Sequence, residues 1–312
     1  MAVRHWKTRS VDGLLSFFAL LPLPALHMLG WLVGHLAYIL PNRARLIAAT
    51  NINLCFPSKP TAQQRRLLRL CLVETGKTAL EIGPIFKRQP QHLTRRWVVD
   101  VFGAEHLTAA MDHGTGTILL APHYGCWELL NLWVAERHPL TALYRPPRQR
   151  SLEPILLEGR TRNGARMLPA GPQGIRGIMK ALNAGESVGI LPDQEPEGNE
   201  PFAPLFGQPA KTMTLASRVA YKSQAPVLFA CARRLPAAKG FELHFIPADA
   251  DIANPDPQLA AAAVNRGVEA CVRLAPEQYQ WTYKRFATQP DGHSPYPGRG
   301  KRRNKRKTAT RA

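Results

Sequence analysis

The stretch Thr115-Gly-Thr-Ile-Leu-Leu-Ala-Pro-His-Tyr-Gly-Cys-Trp-Glu128 is an apolar run that ends on a histidine, with a glutamate five positions later. Residues 117–121 predict a short buried strand that the next proline ends, and residues 127–137 have the apolar period of a helix. On one continuous helix, residues five apart point about 140° away from each other. His123 and Glu128 can therefore meet only across a strand-to-helix turn. The pattern predicts such a pair at the carboxyl end of a strand, where open α/β sheets bind ligands.

Strand-like and helix-like segments alternate through the rest of the chain. Predicted strands cover residues 97–102, 117–121, 140–144, 187–191, 226–232 and 241–246. Predicted helices cover residues 61–86, 105–112, 127–137, 151–163, 174–185, 212–223 and 257–275. This alternation indicates an α/β fold in which helices pack on the faces of a sheet. Between the first hydrophobic segment and these elements, residues 41–60 are predicted to form a basic, Asn-rich link.

The chain is long enough to bury a substantial core and is strongly basic. Its 312 residues are 45% hydrophobic and 20% charged, which excludes a disordered or fibrous protein. The formal net charge is +19, and eight of the 41 Lys and Arg residues lie in the last fourteen positions. The remaining excess of +11 still favours an anionic partner, whether nucleic acid, an acidic protein or phospholipid headgroups.

The five cysteines are scattered, odd in number and without C-x-x-C spacing. This usage favours neither a disulfide scaffold nor a zinc site, and it fits a reducing compartment.

The amino-terminal region contains a long uncharged segment. From Gly13 to Leu40 there is no Asp, Glu, Lys or Arg over 28 residues, which is long enough to cross a bilayer. Pro22 and Pro24 interrupt the segment and predict a short piece followed by a helix over 25–40 that lies in the membrane interface or tilts through it. We interpret residues 1–45 as a retained membrane anchor. The alternative is a helical hairpin buried in a soluble core.

His123 is a candidate general base because the imidazole titrates near neutral pH, and Glu128 is a candidate partner that fixes its tautomer. A different mechanism would use Cys126 as a nucleophile with His123 as its base. Cys126 begins an apolar helix, however, where a small buried side chain is the more common role.

A second block of charged residues follows, with arginines at 160, 162, 166 and 176 and carboxylates at 193 and 195. Arginine forks suit phosphate or carboxylate groups, and a carboxylate at a strand tip orients an arginine or a substrate hydroxyl. We predict that several of these arginines return to the carboxyl edge of the sheet. Asp193 and Glu195 alone make a poor divalent-metal site because no third ligand lies nearby in the sequence.

Two further motifs are less specific. Tyr144-Arg145-Pro146-Pro147 follows a strand and so returns to the same sheet edge as His123, as a loop or as a substrate contact. The segment Trp281-Thr-Tyr-Lys-Arg-Phe286 alternates aromatic and polar residues, which predicts an edge strand.

Beyond Thr288 the composition turns to Pro, Gly and basic residues, and residues 289–312 are predicted to be a disordered tail. The charge leaves a nucleic-acid-binding membrane protein as an alternative function, but no base-reading module accompanies the tail. A polybasic tail on a membrane protein more simply contacts anionic lipid, at about 1 kcal/mol per residue near the surface.

Taken together, several motifs resemble the lauroyl and myristoyl acyltransferases of lipid A biosynthesis, in the lysophospholipid acyltransferase superfamily. The similarity runs from the hydrophobic segment to Phe286. Its motifs are Leu20-Leu-Pro-Leu-Pro-Ala-Leu26, Leu29-Gly30, Asn53-Leu-Cys-Phe-Pro57, His123 to Glu128, Gly159-Arg160, Gly174-Ile-Arg-Gly177, Pro192-Asp-Gln194, Leu205-Phe-Gly207 and Gln280 to Phe286. Each is unspecific alone, and their order and spacing carry the resemblance.

The resemblance implies a membrane-bound enzyme with a glycerolipid acyltransferase-like fold, a mixed sheet flanked by helices, at the cytoplasmic face of the bacterial inner membrane. Such an enzyme moves a fatty acyl group from an acyl carrier protein thioester to a hydroxyl of a phosphorylated lipid A precursor. His123 would take the hydroxyl proton, Glu128 would orient the histidine, and Arg160, Asp193 and, more weakly, Arg176 match site positions.

The resemblance implies neither a cofactor nor a metal, because a thioester is already activated and an oxyanion pocket can supply the rest. Backbone groups near the His123 turn are candidates for that pocket. The catalytic domain is predicted to cover residues 46–288. Glu128 stands where the wider superfamily has Asp, and the long basic tail departs from the family. An acceptor of another kind, such as an ornithine lipid, a glycolipid or a lysophospholipid, therefore stays open.

Overall fold

The computed structural model describes residues 2–296, which form a central sheet covered by helices on both faces. The helices are α1 (Ala2–Leu20), α2 (Leu23–Ile39), α3 (Arg43–Cys55), α4 (Thr61–Lys87), α5 (Pro90–Trp97), α6 (Ala104–Asp112), α7 (Trp127–Arg137), α8 (Glu153–Thr161), α9 (Pro172–Asn183), α10 (Leu215–Ser223) and α11 (Pro257–Leu274). The strands are β1 (Val98–Phe102), β2 (Thr117–Leu120), β3 (Leu140–Tyr144), β4 (Arg166–Pro169), β5 (Ser187–Ile190), β6 (Phe202–Leu205), β7 (Gln208–Lys211), β8 (Val227–Arg234) and β9 (Phe241–Pro247).

Seven strands form the main sheet in the order β1-β9-β8-β2-β5-β3-β4. The neighbours from β8 to β4 pair in parallel, β8 and β9 pair antiparallel, and β1 runs parallel to β9. The sheet is therefore mixed, and the predicted α/β fold with flanking helices is confirmed. Because β2, β5 and β3 are parallel neighbours, the loops that follow them meet at one edge.

Two apolar layers cover the sheet. One layer packs α7, α5, α6 and the second half of α4 on one face, with Leu129, Leu132 and Ile155 among its buried residues. The other packs α3, α9, α10 and α11 on the opposite face, around Ile178, Val264 and Trp281. Strand β2 is buried along its whole length, which explains its unbroken apolar sequence.

The two prolines of the hydrophobic segment separate α1 from α2, as predicted. Pro24 lies in the first turn of α2, where a missing N–H costs nothing. Among the described residues, none of the helices taken singly has the length and apolar character needed to cross a bilayer. The pair α2 and α3, bent by 81° at their junction, reaches that length and composition only together.

The predicted link over residues 41–60 is wrong, because most of it is helix α3. The Asn42 side chain accepts a hydrogen bond from the Arg45 amide and caps the helix. Ile47, Ala48 and Ile52 are buried at helical spacing, a period that the Asn and Arg residues obscured.

Helix α2 packs against α4 at very short range through glycines. A Cβ atom on Gly34 would lie 2.3 Å from the Cα atom of Val73, and one on Gly76 would lie 2.3 Å from the carbonyl oxygen of Gly30. These contacts leave no room for side chains between the two backbones. The segment predicted as an anchor is thus in tight contact with the helices of residues 46–288.

Strand β4, the hairpin of β6 and β7, and helix α5 were not predicted. The hairpin turns at Phe206 and Gly207, both with positive φ. The edge strand predicted for residues 281–286 is wrong: this segment forms consecutive turns. Its Trp281 and Phe286 are buried in the core, so their pattern reflects burial rather than strand pairing.

The ordered chain continues past the predicted boundary at residue 288. Tyr296 is 4% exposed, and its hydroxyl accepts a hydrogen bond from the Phe286 amide at 3.0 Å and donates one to Asn51. Tyr296 therefore packs against the core although it lies beyond the boundary predicted at residue 288. The rest of the predicted tail, residues 297–312, lies outside the described residues.

Candidate functional site

His123 and Asp193 meet at the carboxyl edge of the sheet. His123 follows β2 and Asp193 follows β5, and these two strands pair in parallel from Thr117 to Leu120. The Ala121 amide still donates to the Ile190 carbonyl at 3.0 Å. Since the register continues to the ends of both strands, the residues that follow them are brought side by side.

Two hydrogen bonds join these residues. Nδ1 of His123 donates to Oδ1 of Asp193 at 2.9 Å, and the His123 backbone amide donates to Oδ2 at 3.0 Å. Asp193 is 3% exposed. Burial raises the pKa of its carboxyl, but the charge and hydrogen bonds of His123 outweigh burial and hold that pKa below its usual value. With the proton at Nδ1, the lone pair of the neutral imidazole lies on Nε2, which is then the basic nitrogen.

Gln194 lies next to that basic nitrogen. Its side-chain Nε2 lies 3.3 Å from Nε2 of His123 and 3.4 Å from Oε1 of Gln280. An amide N–H can donate to the imidazole lone pair, so the contact fits the tautomer that Asp193 selects. Trp127 stacks edge-on against the imidazole with ring centroids 5.2 Å apart.

Glu128 does not orient His123, contrary to the prediction. Its carboxylate accepts from Nε of Arg160 at 2.9 Å and 3.1 Å and also from Nη2. Glu128 is 7% exposed and lies in the first turn of α7, while Arg160 lies near the end of α8. Burial lowers the pKa of Arg160, but the charge of Glu128 and its hydrogen bonds together hold that pKa above its usual value. A buried guanidinium requires a carboxylate partner, and Glu128 meets that requirement.

The Asn131 side chain supports this ion pair. Its Nδ2 donates to the Arg160 carbonyl at 2.8 Å, one turn beyond Glu128 on α7. His123 and Glu128, which lie close together in the sequence, therefore belong to two different side-chain pairs. Asp193 accepts a hydrogen bond from His123, and Glu128 accepts hydrogen bonds from Arg160.

The backbone amides of the His123 turn are already engaged. The Gly125 amide donates to the Gln278 carbonyl and the Cys126 amide to the Ala232 carbonyl, both at 3.0 Å. The amides of His123 and Tyr124 donate to Asp193 and Pro122. Of the backbone groups near the turn, the amides of residues 123–126 are therefore not available as donors to an oxyanion. Within residues 2–296, the next two amides, Trp127 and Glu128, begin α7 and have no hydrogen-bond acceptor.

A narrow apolar cavity of about 70 Å³ extends from the site between α7 and the sheet. Trp127, Glu128 and Arg160 line its outer end. Val134 lines it further along α7, about 9 Å from Glu128 by helical rise, and Leu140 lines it from the first residue of β3. The remaining lining is almost entirely aliphatic, from β2, β3, β5 and α7. Such a cavity accepts a slender hydrocarbon rather than a polar group.

The other predicted substrate contacts lie further from His123. Tyr144 ends β3 at the same sheet edge, and its hydroxyl donates to Oε1 of Glu153 at 2.9 Å. Arg145 is exposed and lies 3.8 Å from a Glu197 carboxylate oxygen. Arg176 is exposed on α9.

Of the arginines in the second block, only Arg160 joins the candidate site. Arg166 lies in β4 and donates to Thr141, at the opposite end of β3 from Tyr144. Glu195 turns away from Asp193, since its carboxylate accepts from the amides of Ala287 and Thr288. Arg166 therefore lies at the other edge of the sheet, while Arg176, early in the helix that follows the carboxyl end of β4, stays a predicted contact.

Cys126 is a packing residue. It is 2% exposed, and burial, followed by the nearby Glu81 charge, raises the pKa of its thiol well above the usual value. A thiol that resists ionisation is a poor nucleophile. The cysteine-nucleophile alternative is not supported.

Comparisons with known proteins agree on one family. Residues 2–288 match the family model described as bacterial lipid A biosynthesis acyltransferase. The chain is 31% identical over 292 residues to the lipid A biosynthesis lauroyltransferase of Escherichia coli K12, covering 93% of this chain and 94% of that protein. It is 32% identical to the palmitoleoyltransferase of the same strain, with the same coverage, and 25% identical to its myristoyltransferase, covering 88% and 83% of the two chains.

Proposed function

The chain belongs to the family of bacterial lipid A biosynthesis acyltransferases, and we propose that it transfers a fatty acyl group from an acyl carrier protein thioester to a hydroxyl of a phosphorylated lipid A precursor. The observation that carries the chemistry is the His123–Asp193 pair beside an apolar cavity. The enzyme class, an acyltransferase of lipid A biosynthesis, follows from the family itself.

In the proposed mechanism, Nε2 of His123 accepts the proton of the acceptor hydroxyl. The hydroxyl oxygen attacks the thioester carbonyl, the carbon–sulfur bond breaks, and the imidazolium returns the proton to the leaving thiolate. Asp193 holds the imidazole with Nδ1–H fixed and stabilises the imidazolium that forms. Its buried, ionised carboxylate suits that role because it is charged throughout the neutral pH range.

The oxyanion that develops on the thioester carbonyl needs hydrogen-bond donors. Two observations support the groups that we assign to this role. The free amides of Trp127 and Glu128 stand at the amino end of α7, where the helix dipole favours negative charge. The Arg160 guanidinium lines the same end of the cavity. We assign these groups to oxyanion stabilisation, and Glu128 to holding Arg160 in place.

The cavity between α7 and the sheet is the proposed site of the acyl chain. Its outer end adjoins Trp127, which contacts the His123 ring. An acyl chain that entered it would hold its thioester carbonyl near both the base and the α7 amides. Aliphatic lining residues such as Leu119, Leu130 and Val134 would replace water around the methylene groups.

An exposed apolar face on α1 and α2 supports contact with a membrane. Of the sixteen large hydrophobic residues that are exposed among residues 2–296, twelve lie between Trp6 and Leu46. Trp31, Leu32 and Leu36 are each about half exposed on α2. Contiguous exposed apolar surface of this kind marks an interaction site, and a membrane surface suits a protein with a lipid substrate. We propose that α1 and α2 embed in the cytoplasmic leaflet of the inner membrane.

Cationic groups next to this face support a phosphorylated acceptor. Arg88 donates to the carbonyls of Ala19 and Leu21 at the corner between α1 and α2, and Arg162 donates to the Lys87 carbonyl beside it. Burial, followed by the charge of Arg96, lowers the pKa of Arg88. Together with exposed Arg145 and Arg176 and with Tyr144, these cationic groups are proposed contacts for lipid phosphates or for the acidic carrier protein.

A transfer assay tests the proposal. Purified protein in detergent is incubated with acyl carrier protein thioester and the tetraacylated, phosphorylated lipid A precursor, and mass spectrometry detects the added acyl mass. Transfer to this acceptor supports the proposal. Transfer only to an ornithine lipid, a glycolipid or a lysophospholipid would assign a different acceptor, and no transfer with any acceptor would contradict the proposal.

A further inference from the structure

A cluster of buried ionic side chains lies behind the turn that carries His123. Arg234, the last residue of β8, is 3% exposed. Its Nε donates to Oε1 of Glu81 at 2.6 Å, its Nη1 donates to Oε2 of Glu74 at 2.5 Å, and its Nη2 donates to Oγ1 of Thr78 at 2.9 Å. The three partners lie on one face of α4, because residues three and four apart on a helix point the same way.

Arg234 and Glu81 form a charged pair within this cluster. Burial raises the pKa of Glu81, but the charge of Arg234 and hydrogen bonds from Arg234 and His27 lower it to about 2. Nε2 of His27, on α2, lies 2.7 Å from Oε1 of Glu81. Replacing a buried ion pair by apolar side chains is often neutral or stabilising. Stability alone therefore does not account for this cluster. Its hydrogen bonds lead to Gly125, in the turn that carries His123.

Two hydrogen-bonded routes connect Arg234 to Gly125. On the first, Oγ1 of Thr78 accepts from Arg234 and donates to the Gly125 carbonyl at 3.2 Å. On the second, Oε1 of Gln278 accepts from the Arg234 amide at 2.7 Å, and Nε2 of Gln278 donates to the Arg234 carbonyl at 2.8 Å. The Gln278 carbonyl in turn accepts from the Gly125 amide. Both polar groups of the Gly125 backbone are thus tied to the cluster.

Gly125 controls the course of the turn. It has a φ of +56°, and a Cβ atom there would lie 1.9 Å from the Ala232 carbonyl oxygen. Its position against β8 is therefore closely defined. His123 lies two residues earlier, and its own carbonyl accepts from the Gln280 amide at 3.0 Å. A shift of Gly125 would move the backbone that carries the imidazole.

We propose that Arg234 is a positioning residue for acyl transfer: through Thr78 and Gln278 it fixes Gly125, and with it the turn that presents His123 to Asp193 and to substrate. Arg234 acts from behind the turn and is assigned no contact with the reacting atoms. The inference rests on the proposed function in that it names His123 as the group being positioned. It also gives α2 a part in the site, because His27 bonds to the same Glu81 carboxylate.

Thr78 is the best residue for a test, because valine has nearly the same shape as threonine and lacks only the hydroxyl group. Thr78→Val removes the hydroxyl that links Arg234 to Gly125, and Thr78→Ser restores it. We expect Thr78→Val to lower kcat by about tenfold or more, with both KM values within about twofold of wild type. Thr78→Ser should recover most of kcat. The matched control is Arg233→Gln, which breaks the neighbouring ion pair of β8 with Glu242 and should leave kcat unchanged.

Hydrogen exchange of residues 122–128, measured by mass spectrometry, tests without any substrate whether the turn that carries His123 has loosened. Thr78→Val should speed amide exchange in this peptide by about tenfold, whereas Thr78→Ser and Arg233→Gln should not. Wild-type exchange rates in Thr78→Val, or equal acceleration in Arg233→Gln, would overturn the positioning role. If wild type fails to transfer acyl groups at all, the proposed function falls, and the exchange result still decides whether the cluster holds the turn.

Discussion

Nδ1 of His123 lies 2.9 Å from Oδ1 of Asp193, and the backbone amide of the same histidine lies 3.0 Å from Oδ2. One carboxylate therefore fixes both the ring and the main chain of the candidate base. The relationship depends on the parallel pairing of β2 with β5, which joins residues 70 positions apart.

Asp193→Asn tests this relationship. The amide can still accept a hydrogen bond, but it cannot stabilise an imidazolium, and it can donate to Nδ1 and so select the wrong tautomer. We expect kcat for acyl transfer to fall by about a hundredfold or more. The matched control is Glu195→Gln, whose carboxylate binds the amides of Ala287 and Thr288 instead. Equal losses in the two variants would argue for a general structural effect rather than orientation of His123.

The Glu128–Arg160 pair should behave as one unit. We expect Glu128→Gln and Arg160→Gln each to lower kcat by about a hundredfold, because either change removes the positioned guanidinium. The double variant should be little worse than either single one. Steady-state rates of the three variants measure the coupling. The Arg166–Glu186 ion pair, away from the site, supplies control variants with near-native rates. Fully additive losses at Glu128 and Arg160 would mean that the two side chains act separately.

The cavity predicts a change in acyl-chain preference. Ala142 lines the cavity from β3, and Ala142→Leu would fill part of it. We expect the preferred donor to become shorter, measured by competition between carrier protein thioesters of different chain length. Ala181→Leu is the control, since Ala181 is buried on the other face of the sheet and does not line the cavity. Overpacking costs about 1–3 kcal/mol at either position, so a shortened preference in both variants would count against the cavity as the acyl site.

The apolar face of α2 predicts membrane binding that depends on single side chains. Leu36 is 48% exposed on α2, and Leu259 is 45% exposed on α11. We expect Leu36→Glu to weaken binding to phospholipid vesicles by about tenfold, because a buried leucine contributes about 1.5–3 kcal/mol. Leu259→Glu should bind as wild type does. A flotation assay measures both, and equal binding by the two variants would exclude this face as the contact.

The sequence predicted most of the sheet because burial and connection length are local signals. Strands 117–121 and 140–144 and helix 127–137 have the bounds that their apolar runs indicate, within a residue. The secondary structure of the amino-terminal region is harder to predict from its sequence. The sequence of helix α3 resembles a link because Asn and Arg mask its apolar period, and its core contacts come from distant residues such as Trp281 and Tyr283.

The site was only partly predictable for a related reason. The sequence suggests pairing His123 with Glu128 because the two residues are close along the chain, but His123 pairs with a residue from the neighbouring strand instead. Asp193 reaches His123 because β5 lies next to β2, a sheet order that one sequence does not reveal. Arg234 and Gln278 gave no signal, since an arginine at the end of a strand is ordinarily exposed.

The rate of acyl transfer by His123→Gln is the most direct measurement of the central claim. With carrier protein thioester and the tetraacylated, phosphorylated precursor, we expect this variant to lose at least about a hundredfold in kcat. Under the same conditions, His106→Gln, an exposed histidine on α6, should keep the wild-type rate. Near-native turnover by a folded His123→Gln variant would contradict the assignment of His123 as the base.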